Sequence, residues 1–186
     1  MDKVSFGAKI DVEVNRRIPM VKSAWDTVCI GKDGVEKWRD HSENIVTEQG
    51  LTAILDVMFM GGTQLSDWYV VLIEDGDAPT SASTYAVPIY TECTDVTNAT
   101  RPVYTGVQVD QIIDNAAAKA VFTIDTGGED LMGGALVGGP IATATIGDVA
   151  SSGAILYCAI EFDAVKPMVA LDIISITITL SSSNVV

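Results

Sequence analysis

Apolar and polar positions change their period at Gly61-Gly62. Upstream, in NIVTEQGLTAILDVMF, Leu51, Ile54, Leu55, Met58 and Phe59 recur at the i, i+3, i+4, i+7, i+8 spacing of one helix face. This predicts a helix over about 47–60, with Thr47 as N-cap and Glu48 in the first turn. Gly50 occupies the place of the Glu or Gln of a capping box, so the box is absent. So short a helix must dock to be stable, and the apolar stripe is the expected docking face.

Downstream, WYVVLI from Trp68 to Ile73 is apolar on both pleat faces and predicts a strand covered on both sides, in part by that helix. EDGDAPTSAST reads as a turn-rich loop, with short strands expected near Val87–Tyr90 and Val103–Val109 around Thr100-Arg101-Pro102. Ala120, Phe122 and Ile124 start a strand, and Leu131–Val137 forms another within a glycine-rich segment. The last third alternates most cleanly. Leu156, Cys158, Ile160 and Phe162 oppose Tyr157, Ala159, Glu161 and Asp163, and Ile174, Ile176, Ile178 and Leu180 oppose Ser175, Thr177 and Thr179. Both read as half-buried antiparallel strands with polar outer faces.

At the other end, AWDTVCI and VEKWRDH flank Gly31-Lys32-Asp33-Gly34, a hairpin signal with Asp-Gly in the turn and Trp25 and Trp38 towards its two ends. Val4, Phe6, Ala8, Ile10, Val12 and Val14 alternate with polar residues, before Arg16-Arg17, Pro19 and Lys22 break the pattern. The expected organisation is an extended N-terminal arm over 1–22 and a β-domain over 23–186. The fold class is mainly β, a jelly-roll-like β-sandwich with one short helix.

Charge sharpens this division. Residues 1–50 hold 8 of the 11 Lys and Arg and 9 of the 25 Asp and Glu, whereas residues 51–186 hold 3 and 16. The nets are -1 and -13, so the bulk of the chain repels nucleic acid and only the N-terminal quarter suits an acidic surface. No apolar h-region marks a signal peptide, and the apolar runs are too short and too often broken for a bilayer span. No membrane partner is therefore expected.

Candidate chemistry is sparse. His41 is the single histidine and sits among charges, so no Ser-His-Asp or Cys-His set is compelling. Cys29, Cys93 and Cys158 form no CxxC pair, which fits a reducing compartment and small core residues. Glu74, Asp75 and Asp77 lack EF-hand spacing, and the glycine pairs after Gly127 match no phosphate-binding loop. No cofactor and no catalytic or metal residue is assigned, and an enzyme is not expected. Trp25, Trp38, Trp68, Tyr69, Tyr90 and Tyr104 could line a sugar groove, or serve as core or an oligomer interface.

The patches Asn44–Leu51, Trp68–Ile73, Ala99–Thr105, Asn115–Ile124 and Gly133–Val137, followed by the two closing strands, stand in an order that resembles small virion structural proteins of tailed bacteriophages, most closely the head decoration (cement) proteins. The resemblance covers about 35–181. It implies a jelly roll on the capsid exterior, added after synthesis in the host cytoplasm, that bridges major capsid proteins as a dimer or trimer and carries no catalytic residues. The N-terminal segment 1–34 departs from that pattern, as an arm across the capsid or the mark of a tail-associated relative (fibre or tail tube). Phe6, Lys9, Arg16, Arg17, Lys22 and Trp25 are the expected partner contacts, and a carbohydrate-binding β-sandwich is the alternative of a different class.

Overall fold

The computed structural model describes residues 20–183. Two antiparallel sheets share one core. The first is built on β1 (Met20–Ile30), β2 (Glu36–Glu43), β6 (Val107–Val109), β7 (Ile112–Asp114), β8 (Ala120–Thr123) and β11 (Ile173–Ser183). Its order is β2-β1-β11-β7-β6, with β8 also paired to β11. The second, in the order β3-β10-β9-β4-β5, uses β3 (Ile45–Val46), β4 (Trp68–Gly76), β5 (Tyr90–Glu92), β9 (Gly127–Gly138) and β10 (Ile155–Val169). The helix α1 (Glu48–Leu55) runs into a π-helical turn, Asp56–Met60, and stops at Gly61 with φ 75°.

The hairpin predicted around Gly31-Lys32-Asp33-Gly34 joins β1 to β2, and Gly34 takes the left-handed φ of 80° that its turn requires. β1 starts at Met20, paired with Ser183, so Met20–Lys22 belong to the sheet. The expected boundary at 22/23 therefore falls inside a strand. The rest of the expected arm, residues 1–19, lies outside the described residues.

Between the sheets, Trp25, Cys29, Phe122, Ile174, Ile176 and Ile178 meet Val70, Leu72, Leu136, Cys158 and Ile160. β11 shows the expected alternation, with its isoleucines buried and Ser175, Thr177 and Thr179 half-buried. β10 departs from it: a register shift between Leu156 and Cys158 leaves Tyr157 in the core between the sheets, while Leu156 and Ala159 are buried on the outer face, which loops also cover. Tyr85, Ala154 and Ala144 pack there with Tyr69, Val71 and Ile73, so β4 is covered on both faces, but by loops where the helix was expected. The helix packs on β10.

Candidate functional site

The N-terminal turn of α1 is fixed by polar groups. Thr47 caps it, its Oγ1 accepting from the Gly50 N–H at 3.0 Å while its own N–H donates to the Tyr157 carbonyl at 3.0 Å. Gln49 Oε1 accepts from the backbone N–H groups of Leu156 and Tyr85 at 2.8 and 2.9 Å. Gly50 is the buried residue of this helix, and a Cβ there would lie 2.5 Å from the Tyr157 carbonyl oxygen. Glycine thus lets the helix backbone lie directly on β10.

That seating overturns the predicted docking face. Leu55 is 56% exposed, Phe59 71% and Met60 78%, and Leu51 and Met58 are exposed too. Of the predicted stripe only Ile54 packs against the core. The helix leans on its Gly50–Ile54 side, and Leu51, Leu55 and Phe59, spaced i, i+4 and i+8, point to solvent. These large apolar side chains, with Met58 and Met60, are left facing water.

Beside this stripe a groove of about 980 Å³ opens between α1 and the two sheets. Ala53, Ile54 and Val57 line its helix side, Trp68, Leu136, Ile155 and Tyr157 come from the second sheet, and Tyr104, Ile113 and Leu180 come from the first-sheet side. Trp68 and Tyr157 meet edge to face at 5.6 Å. Residues 63–66 form part of the rim.

The expected contact residues scatter. Phe6, Lys9, Arg16 and Arg17 lie outside the described residues, and Lys22 is exposed on β1. Trp25 is corrected outright. It is 0% exposed, its ring lies against Gly134 where a Cβ would come within 2.8 Å, and its Nε1 donates to Ser23 Oγ at 3.0 Å. The six candidate aromatics share no exposed surface: Trp25 and Tyr69 are buried, Tyr90 is half-buried against the outer face of the second sheet, Trp38 packs on Phe162, and Trp68 and Tyr104 line the groove.

Titratable groups are committed to structure. His41 Nδ1 pairs with Asp26 Oδ1 at 2.8 Å on the surface, which raises its pKa. Burial pushes the Cys29, Cys93 and Cys158 thiols up to about 12. Lys37 Nζ donates to both Asp172 oxygens at 2.8 Å. Among the described residues no group of three or more His, Cys, Asp or Glu is placed to hold a metal ion. No described helix is long and apolar enough to cross a membrane.

One buried polar network was not visible in the sequence. Arg101, 3% exposed, forks onto Glu92 at 2.9 and 2.5 Å. It also donates to the Tyr85 hydroxyl at 2.9 Å and to the Thr143 and Asp148 carbonyls at 2.7 and 2.8 Å. Burial works to lower its pKa, but the Glu92 and Tyr85 hydrogen bonds outweigh it and hold the guanidinium charged. Tyr85, pushed up to about 12 by burial and its bond to Asp148, stays a neutral donor. Arg101 thus fastens the 140–150 loop to Glu92 of β5 and to Tyr85. No family model matches the chain, and no curated protein or solved structure matches it.

Proposed function

We propose that the protein decorates the outer surface of a tailed-phage head, bridging neighbouring major capsid proteins and stiffening the shell. The observation that carries this is the solvent-facing stripe Leu51, Leu55, Phe59 and Met60, held on a helix whose seat is fixed by Thr47, Gln49 and Gly50. Anchored polar groups present the apolar ones, which is the arrangement of a docking surface. The two antiparallel sheets are compatible with a jelly roll, and the sequence resemblance points to the same class. Residues 1–22 carry five basic side chains, Lys9, Arg16, Arg17 and Lys22 among them, against three acidic ones, whereas residues 51–186 carry a net of -13. The role is mechanical, and weak contacts repeated over a closed lattice add up to firm attachment.

Purified protein added to heads that lack it should co-sediment with them. A Leu55→Asp/Phe59→Asp variant should bind at least about tenfold more weakly, since losing the burial of two such side chains removes about 3 kcal/mol or more. Both residues are exposed, so the fold should survive. Undiminished binding by that variant would exclude the stripe as the contact.

A further inference from the structure

The groove between α1 and the two sheets is walled by elements that are themselves fastened. Thr47, Gln49 and Gly50 seat the helix wall on β10, and Trp68, Leu136 and Tyr157 of the second sheet form the wall beside it. Its volume of about 980 Å³ lies at the upper end of the roughly 300–1,000 Å³ of clefts that hold small organic ligands. We propose that this groove binds an uncharged, largely apolar small molecule whose hydrogen-bonding oxygen sits on the Trp68 indole N–H and the Tyr157 hydroxyl.

The polar groups in the lining decide the class of ligand. Trp25 Nε1 donates to Ser23 Oγ at 3.0 Å and Trp38 Nε1 to the Pro167 carbonyl at 3.2 Å, whereas Trp68 Nε1 has no acceptor among the described residues. Tyr104 spends its hydroxyl on the Ile113 carbonyl at 3.2 Å. Tyr157, only 7% exposed, lines the same groove with a hydroxyl that has no partner among the described residues. Burial raises its pKa, so the phenol stays neutral. The Trp68 and Tyr157 rings meet edge to face at 5.6 Å and so belong to one patch of wall. Polar groups left without partners in an apolar surround cost free energy, which a ligand oxygen recovers. Ile54, Val57, Ile113 and Leu180 supply the apolar surface for the rest of the molecule. Among the described lining residues Asp56 is the one charged group and none is basic, so a carboxylate or phosphate meets no counter-charge. The stripe Leu51, Leu55, Phe59 and Met60 takes no part in this lining, and the proposal does not rest on the capsid reading.

The test titrates 1-decanol, and decanoate as its charged counterpart, into the full chain and follows the NMR spectrum. Decanol should bind saturably and at least about tenfold more tightly than decanoate. It should shift the Trp68 indole N–H and the amides of Ala53, Ile54 and Tyr104, and leave the indole signals of Trp25 and Trp38 in place. Trp68→Phe keeps an apolar ring, removes the N–H and should weaken decanol about fivefold. Absence of a saturable shift at the groove, or decanoate binding as tightly as decanol, would overturn the proposal, and both are read on the unaltered chain whatever the variant does to the fold. Undiminished binding of decanol by Trp68→Phe would overturn it as well.

Discussion

Gly50 and Asp40 show how single residues set this structure. By helix propensity alone Gly50→Ala stabilises α1 by about 1 kcal/mol. In place, the new Cβ would meet the Tyr157 carbonyl oxygen at 2.5 Å, and that atom is backbone in the middle of a sheet. The expected outcome is a lower denaturation midpoint and loss of protection at residues 48–60, with propensity overruled by contact. Asp40 governs behaviour in acid. Burial tends to raise its pKa, but hydrogen bonds from Ser42, Lys166 and the Asp163 N–H outweigh this and hold it below the ordinary carboxylate range. A folded pKa below the unfolded one gives stability that is present above about pH 4 and lost as pH falls through the folded value. Asp40→Asn should therefore flatten the loss of stability below about pH 4 in denaturant titrations at stepped pH. An unchanged acid profile would remove Asp40 from the account.

At the scale of elements, the Arg101 network ties together β5 through Glu92, the 80–90 loop through Tyr85, and the 140–150 loop through two carbonyls. Arg101→Ala strands the Glu92 carboxylate, 8% exposed, without its partner and should cost about 3–5 kcal/mol by chemical denaturation. Arg101→Met/Glu92→Leu, which removes both charges, should recover part of that loss. Equal effects of the two variants would mean that packing, not charge pairing, holds the loops. Features with local causes were legible in the sequence. The Asp-Gly hairpin, the Thr47 cap and the alternation of β11 each follow from neighbouring residues, and each is found. The helix face was misread because a period of 3.6 reports that a stripe is apolar and not whether it is covered. What decided its direction was the contact between Gly50 and Tyr157, more than a hundred residues apart. The Arg101 cluster was hidden for the same reason, since its partners lie at 85, 92, 143 and 148 and no spacing in the sequence announces them. Trp25 reads as an interface aromatic until the opposite sheet offers Gly134 as its seat.

For the whole molecule, charge and surface divide the labour. The acidic bulk of residues 51–186, with a net of -13, repels nucleic acid. The α1 stripe and the groove lie side by side. Under the proposed function, this surface would meet a lattice of identical sites, each covered by one copy. The most direct test of the proposed head role is the number of copies of this chain per purified phage particle, measured by quantitative mass spectrometry against the major capsid protein. A ratio of one, or a simple fraction of one, is the predicted result. A few copies per particle, or none, would contradict a role on the head.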